Sequence, residues 1–356
     1  MKIRPSDSLE RLLDERGVLL ADGAIGTNLF ATGLQTGDAP ELWNVDHPER
    51  VAALHRSFVE AGSDIVLTNS FGGTRFRLAL HEAGHRVAEL NEAAARIARQ
   101  AADAADGRDV LVAGSMGPTG EILEPNGTVS VAAAREAFAE QARALAAGGA
   151  DILWLETLSS AEEIEAAVGG ASESGLPIVC TVSIDTNGRT MMGLTPADTI
   201  RVASGLGTDV MAVGSNCGVG AAEVVAAIMN LADASRGGGA APILVAKANC
   251  GIPTWQDGQI VYDGTPDLMA DYAGLVVDAG ARIVGGCCGT TPAHVAAMRR
   301  TLDTHEKGTA PDAGTIVARL GEISQGARAQ LGGDLSLAGG SASGRGERAS
   351  RRRTRR

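Results

Sequence analysis

Eight short apolar runs, each ending in polar residues, constrain the fold of this 356-residue chain more than any other feature. Stretches with the periodicity of amphipathic helices separate them. The runs cover 18–21, 64–68, 110–113, 151–155, 177–182, 210–213, 243–246 and 281–284, and the clearest helical stretches cover 48–61, 132–147, 160–172, 196–204, 221–234 and 266–279. Near-continuous apolar strands that alternate with helices are typical of a parallel sheet covered on both faces.

Eight such units within about 290 residues favour one α/β fold, a single closed (β/α)8 TIM barrel. A doubly wound nucleotide-binding sheet would need a glycine-rich fingerprint after the first run, but residues 21–26 contain only two glycines. We expect the barrel domain over 10–305 and a candidate extra helical segment over 306–331. Residues 332–356 are rich in Gly and Ser and then in Arg, which predicts a disordered basic tail.

The overall charge and the cysteine content narrow the class of protein. The net charge of −12 argues against a general nucleic-acid binder. No apolar run approaches the 18 residues of a membrane span, so no membrane segment is expected. The five cysteines are odd in number and lack the dense spacing of a disulfide scaffold, which predicts a reducing, cytoplasmic location. The oligomeric state stays open.

Two adjacent cysteines, Cys287 and Cys288, follow the eighth run between glycines, and Cys217 follows the sixth run. Neighbouring cysteines pair with difficulty because a vicinal disulfide is strained. In a barrel the carboxyl ends of all strands lie on one face, so the three thiols are expected to converge there. Buried cysteines are often only small apolar residues. Three thiolates with an open fourth position are, however, the pattern of a catalytic zinc site.

Short motifs stand at the strand ends. They are residues 22–27 (DGAIGT), 68–71 (TNSF), 117–119 (GPT), 156–157 (ET), 214–217 (GSNC) and 285–292 (GGCCGTTP). Together these motifs resemble those of the homocysteine S-methyltransferase family. The family includes betaine–homocysteine methyltransferases and the homocysteine-binding module of cobalamin-dependent methionine synthase. The resemblance covers about residues 10–303 and is greatest to bacterial betaine-type proteins. It implies a Zn²⁺-dependent barrel that methylates homocysteine to methionine, with Cys217, Cys287 and Cys288 as metal ligands.

The resemblance also implies residues that bind the substrate. Asp22 and Glu156 match acids that hold the homocysteine ammonium, although a turn residue and a helix N-terminal acid are the structural alternatives. Thr68, Asn69 and Ser183 end strands two and five, where they either bind the substrate carboxylate or cap the strands.

Two residues at the end of the seventh run need separate interpretation. Asn249 matches an asparagine of the methionine-synthase branch, which implies an exchangeable fourth metal ligand. Cys250 lies beside it, and a local argument would admit it as a ligand. The three-cysteine pattern of the family does not include Cys250, so we expect a small residue near the site. Cys180 lies inside the fifth run and is expected in the core.

The methyl donor is the least determined part of the sequence interpretation. Betaine is the expected donor, and quaternary ammonium groups are usually bound by aromatic faces. Animal betaine enzymes carry aromatics where this chain has Gly72 and Thr157, which leaves Trp43 as the cage aromatic. S-methylmethionine and a methylcorrinoid on a separate protein are alternative donors. A zinc-binding scaffold without catalysis is a further alternative, against which the two acids, Asp22 and Glu156, argue.

Overall fold

The computed structural model describes residues 5–184, 187–206, 210–236, 242–256 and 259–334. Eight parallel strands form the barrel, and a two-stranded antiparallel hairpin is inserted after the seventh. The barrel strands are β1 (Leu19–Leu20), β2 (Ile65–Leu67), β3 (Leu111–Met116), β4 (Ile152–Leu158), β5 (Ile178–Val182), β6 (Val210–Cys217), β7 (Ile243–Ala248) and β10 (Ile283–Gly286), and the hairpin is β8 (Pro253–Gln256) and β9 (Gln259–Tyr262). The predicted (β/α)8 barrel is therefore confirmed.

The sheet closes between its first two strands. The strand order is β1-β10-β7-β6-β5-β4-β3-β2, which leaves β1 and β2 at its two ends. A parallel bridge joins Ala21 to Ile65, and the Asp22 amide donates to the Ile65 carbonyl at 3.0 Å. Closure brings every strand's carboxyl end to one rim, so residues far apart in sequence become neighbours there.

Fourteen helices and two 3-10 turns surround the strands in the described part of the chain. They are α1 (Pro5–Arg16), α2 (Gly26–Phe30), α3 (Trp43–Asp46), α4 (Pro48–Glu60), α5 (Arg75–Ala79), α6 (Val87–Asp103), α7 (Val131–Gly148), α8 (Ala161–Ala171), α9 (Pro196–Gly205), α10 (Ala221–Ser235), α11 (Pro266–Asp278), α12 (Pro292–Leu302), α13 (Ala313–Leu320) and α14 (Gln325–Leu331), with 3-10 turns at Pro40–Leu42 and Ser172–Ser174. The six helices expected from periodicity match α4 and α7–α11 within one residue at each end. Side-chain caps explain this precision, because Ser130, Ser160, Thr195 and Thr265 each accept from an amide three residues on.

The core has an inner part within the barrel and an outer layer between strands and helices. Alternate strand residues point inward, among them Ile65, Trp154 and Val245. The helix α1, which the sequence did not predict, closes the amino-terminal end of the barrel with Leu9 and Leu12. Catalytic chemistry is thereby left to the opposite, carboxyl-terminal rim.

The segment after the barrel contains two helices rather than one. The sequence pattern suggested helix over 315–331, but the chain breaks between α13 and α14 around Gly321, whose φ is +101°. Both helices pack against α10. Of the predicted tail, residues 332–334 follow α14 and residues 335–356 lie outside the described part. No helix in the described ranges is long and apolar enough to cross a membrane.

Candidate metal centre and substrate cavity

Three cysteine sulfurs converge at the carboxyl-terminal rim. Cys217 ends β6, and Cys287 and Cys288 follow β10, with β7 between the two strands. The three Sγ atoms lie within 4.8 Å of one another, and those of Cys217 and Cys287 are 2.7 Å apart. Sulfur ligands at 2.3 Å from a tetrahedral zinc would be about 3.8 Å apart. A small spreading of the closest pair would therefore let all three bind one metal ion.

Backbone contacts hold the cysteines in this arrangement. Cys217 adopts a left-handed conformation with φ +58°, which turns the chain sharply at the strand end. The Cys287 amide donates to the Ala248 carbonyl at 2.6 Å, which extends the pairing of β10 with β7. The Thr290 amide donates to the Cys287 carbonyl at 3.0 Å and closes the turn that contains the paired cysteines.

Asn249 connects the two cysteine loops. Its Nδ2 donates to the Gly218 carbonyl at 2.7 Å, and its Oδ1 accepts from the Cys288 amide at 3.1 Å. Both polar atoms of the side chain thus bind backbone groups beside Cys217 and at Cys288. In this structure Asn249 acts as a clamp between Cys217 and Cys288, a role that the sequence interpretation did not assign.

The other two cysteines lie outside the cluster. Cys250 is buried, its amide donates to the Cys288 carbonyl at 2.9 Å, and burial raises the pKa of its thiol to about 11. Cys180 is buried in the core, where desolvation raises its thiol pKa to about 12. Among the described residues, the group that could hold a metal contains neither thiol. This agrees with the expectation for both.

Tyr262, at the end of the inserted hairpin, also reaches the cluster. Its ring lies against Gly289, where a Cβ would meet the Tyr262 Cγ at 2.4 Å. Hydrogen bonds from Cys217, Cys287 and the Tyr262 hydroxyl lower the pKa of the Cys288 thiol. Sequence reasoning missed this residue, because its hairpin is an insertion without a barrel counterpart.

A cavity of about 370 Å³ opens beside the cysteines. Its buried end is lined by the three cysteines, Glu156 and Lys247, and its open end by Phe30 and Phe71. A concave site with few convergent polar groups is typical of a small-molecule site. The cysteine cluster therefore lies in the wall of a cavity that suits a small substrate.

Asp22 already has a cationic partner. Its Oδ1 lies 2.9 Å from the Lys247 Nζ, and its Oδ2 accepts from the Leu67 amide at 2.8 Å. Burial alone would lower the pKa of Lys247, but Asp22 and Glu156 raise it overall and keep the ammonium charged. Asp22 is fully buried and is not among the described residues that line the cavity. Asp22 therefore lies behind Lys247 as seen from the cavity. The sequence analysis did not assign Lys247 to the site, although a charged residue in an otherwise apolar strand was a signal for it.

Glu156 lies in the cavity wall near the cysteines. Its Oε1 accepts from the Ser115 hydroxyl at 2.5 Å, and burial raises the pKa of its carboxyl. The next residue, Thr157, has φ +64°, and its amide donates to Asn216 Oδ1 at 2.8 Å. This links the end of β4 to the end of β6, directly before Cys217. Glu156 is therefore positioned by both its neighbours and the cysteine strand.

Of the three residues predicted to bind the substrate carboxylate, two line the cavity and one does not. Thr68 and Asn69 are in its wall, although both side chains are engaged. The Thr68 hydroxyl lies 2.5 Å from Ser70 Oγ, and Asn69 Nδ2 donates to the Pro40 carbonyl at 2.7 Å. Ser183, whose amide donates to the Leu158 carbonyl, is not among the described residues of the cavity wall.

Trp43, the expected cage aromatic, lies in the core. It is only 7% exposed and packs in a cluster with Leu29 and Val51. The Arg50 guanidinium lies 5.0 Å from its ring centroid, and the edge of His47 covers another side. The described cavity wall does not include Trp43. The 3-10 turn and α3 direct this ring into the core.

Comparisons with known proteins agree with this geometry. The sequence profile of the homocysteine S-methyltransferase family matches residues 19–302. The chain is 33% identical over 293 residues to methionine synthase of Mycobacterium tuberculosis, an alignment that covers 78% of this chain. It is 31% identical over 321 residues to methionine synthase of Mycobacterium leprae, which covers 86% of this chain. It covers only 24% and 26% of those two proteins, so the chain spans about a quarter of their length.

Solved structures give the same result over almost the whole of a relative. The metallated form of the Escherichia coli homocysteine methyltransferase MmuM superposes with a TM-score of 0.68 at 29% identity, covering 82% of this chain and 99% of that one. The oxidised form of MmuM superposes with a TM-score of 0.67 and also 29% identity, covering 84% and 99%. With the barrel, the cysteine cluster and the matched range together, the chain belongs to the homocysteine S-methyltransferase family.

Proposed function

We propose that this chain transfers a methyl group to the thiol of homocysteine, giving methionine, and that it depends on zinc held by Cys217, Cys287 and Cys288. One observation carries the proposal: the three sulfurs form a compact cluster in the wall of a cavity that Glu156 and Lys247 also line. The membership of the family supports methyl transfer to homocysteine. The odd, unpaired cysteines favour a reducing cytoplasm, where thiols stay available for metal.

The donor set fits zinc. The cluster contains three cysteine sulfurs and no fourth side chain from the His, Cys, Asp and Glu residues of the described chain. This donor set matches an open catalytic site. A zinc ion bound there would keep the substrate thiol deprotonated, and the thiolate is the nucleophilic form. Asn249 holds the two ligand loops at a fixed separation, which preserves the geometry of the site.

The charged groups at the buried end orient the amino-acid part of homocysteine. Asp22, Glu156 and Lys247 place two carboxyl groups and one ammonium in a region closed to solvent. The Asp22–Lys247 pair is internally balanced, which leaves Glu156 as the charge that the substrate ammonium neutralises. Asp22 then acts through Lys247 rather than by direct contact. Thr68 and Asn69 lie in the same wall, where the substrate carboxylate is expected.

Methyl transfer itself is an in-line displacement. The homocysteine sulfur forms a bond to the methyl carbon as the donor's bond to that carbon breaks, and the electron pair leaves with the donor. The chain's own residues contribute position: the cluster fixes the sulfur and Glu156 fixes the ammonium. Holding reactants in attack geometry accounts for a large part of catalytic rate.

Betaine is the proposed methyl donor, with S-methylmethionine as its closest chemical alternative. A methylcorrinoid carried by a separate protein is the second candidate, favoured by the similarity to the mycobacterial methionine synthases. A zinc scaffold without activity is the least supported reading, since Glu156 lines the cavity beside the cysteines. The cavity volume of about 370 Å³ suits homocysteine with a small donor.

The test is direct. Purified zinc-loaded protein is incubated with homocysteine and each donor separately, and methionine is measured by chromatography. Methionine from betaine alone is the expected result. Methionine only after a methylated corrinoid protein is added would transfer the proposal to that donor. Zinc-loaded protein that does not bind homocysteine in calorimetry would overturn the proposed function itself.

A further inference from the structure

The open end of the cavity contains charged groups that the homocysteine site does not use. Glu41 and Arg77 lie in this wall together with the exposed rings of Phe30 and Phe71. Glu41 precedes α3 in the 3-10 turn, and Arg77 lies in α5. The residues at the cysteine end of the cavity come from strand ends, whereas Glu41 and Arg77 come from a turn and a helix. They form a second group of charged side chains in the same cavity.

Glu41 is a buried carboxylate directed at the cavity. Its Oε1 accepts from the Gly72 amide at 2.6 Å, and the position of a Cβ at Gly72 is 3.5 Å from Oε2. No salt bridge within 4.0 Å involves Glu41 among the described residues. Burial raises the pKa of the Glu41 carboxyl, and the Gly72 amide, Arg77 and His81 oppose that rise. A buried carboxylate without a close counter-charge gains strongly from a bound cation.

Arg77 is a half-buried guanidinium without an ion pair to a described residue. Arg75 on the same helix does have an ion pair, with Glu140 at 2.7 Å. Arg75 is not among the described residues that line the cavity. The Arg77 chain lies against Gly120, where a Cβ would be 3.1 Å from Cδ and 3.2 Å from Nη1. A planar guanidinium in a cavity wall is the usual partner of a ligand carboxylate.

Phe71 adds an aromatic surface to the same cavity wall. Its ring lies directly on Gly117, where a Cβ would come within 2.6 Å of Cε2. Phe71 is 37% exposed, and Phe30, the last residue of α2, is 45% exposed. Gly117 and Gly120, both from the loop after β3, thus leave room for Phe71 and Arg77. Aromatic faces next to a carboxylate suit an onium group.

We propose that Arg77 and Glu41 form the donor subsite, and that it takes a compact zwitterion with an onium methyl group and a carboxylate. Arg77 binds the carboxylate, while Glu41 and Phe71 face the trimethylammonium or methylsulfonium cation. The homocysteine sulfur takes the methyl group, the carbon–nitrogen or carbon–sulfur bond breaks, and its electron pair leaves on a neutral amine or thioether. This inference rests on the proposed function and names its donor class.

The test compares two arginines of α5. Arg77→Met is expected to raise the apparent KM for glycine betaine or dimethylsulfonioacetate by about tenfold or more, because a charge-assisted hydrogen bond is lost. Arg75→Met, the matched control, is expected to change it less than about twofold, since exposed ion pairs contribute little. The KM for homocysteine and the zinc content are measured in parallel and are expected to stay constant in both variants.

Donors without a carboxylate separate the two roles. With trimethylsulfonium, Arg77→Met is expected to have no effect, whereas Glu41→Gln raises the KM for every onium donor because its charge is lost and its bond to Gly72 is kept. S-methylmethionine is assayed in parallel with glycine betaine, and the comparison shows which of the two donors the subsite takes. Equal effects of Arg77→Met and Arg75→Met would overturn the subsite. If homocysteine binds in calorimetry but no onium zwitterion binds or reacts, this proposal fails while homocysteine methylation stands.

Discussion

Lys247 Nζ lies 2.9 Å from Asp22 Oδ1, and both side chains are buried at the end of the substrate cavity. The pair joins β7 to the residues that follow β1, across β10, and the other oxygen of Asp22 accepts from Leu67 of β2 where the barrel closes. A second contact of the ammonium, 5.5 Å from the Trp154 ring centroid, places it above the barrel core. The charge of Asp22 is therefore satisfied within the protein, and only Lys247 of the two faces the cavity.

The first prediction concerns this pair. Lys247→Met is expected to lower the free energy of unfolding by about 3–5 kcal/mol, because it leaves Asp22 charged and buried without a partner. The double variant Lys247→Met with Asp22→Asn is expected to recover part of that loss. Urea unfolding followed by circular dichroism measures both. If the double variant is as unstable as the sum of the single variants, the two residues do not act as a pair.

The second prediction concerns the metal. Cys287→Ala and Cys217→Ala are each expected to lose tightly bound zinc while the barrel stays folded, since each removes one of three ligands. Zinc is measured by atomic absorption after dialysis, with about one ion per chain expected in the unchanged protein. Cys250→Ala is the control and is expected to keep its zinc. Full occupancy in Cys287→Ala would exclude the assigned ligand set.

The third prediction concerns substrate orientation. Glu156→Gln keeps the shape of the side chain and removes its charge, so homocysteine binding is expected to weaken by about 1.5–3 kcal/mol. Zinc content is expected to stay the same. Calorimetry with the zinc-loaded protein measures the affinity. An unaltered affinity would show that another residue of the cavity binds the homocysteine ammonium.

The fourth prediction concerns Asn249 as a clamp. Asn249→Ala removes the contacts to Gly218 and to the Cys288 amide, and zinc affinity is expected to fall by about 10- to 100-fold. The loss is expected to persist when homocysteine is bound. An exchangeable fourth ligand would behave differently, because homocysteine would replace it and abolish the difference. Competition with a chromogenic chelator, with and without homocysteine, separates the two roles.

The fifth prediction concerns Trp43. Its ring packs among Leu29 and Val51, so Trp43→Ala is expected to cost about 3–5 kcal/mol of stability. The apparent betaine constant of the folded variant is expected to change less than twofold. A thirtyfold rise in that constant would restore Trp43 to the donor site. Steady-state kinetics at a temperature where the variant is folded provides the measurement.

The local elements were largely predictable from the sequence. The six helices predicted from periodicity agree with the structure, and side-chain caps at Ser130, Thr195 and Thr265 fix where three of them start. The convergence of Cys217 with Cys287 followed from the parallel strand pattern, since all carboxyl ends of a barrel share one rim. The hairpin β8–β9 carried no such periodic signal and was missed.

The amino-acid sequence by itself determined the order of the strands, the barrel and the three thiols, because these depend on apolar periodicity and residue type. Only the tertiary structure decided which charges meet. Asp22 is 225 residues from Lys247 in sequence, and the direction of a side chain at a strand end depends on how the neighbouring strands pack. For the same reason Trp43 turned into the core, and Phe71 with Arg77 came to face the cavity instead.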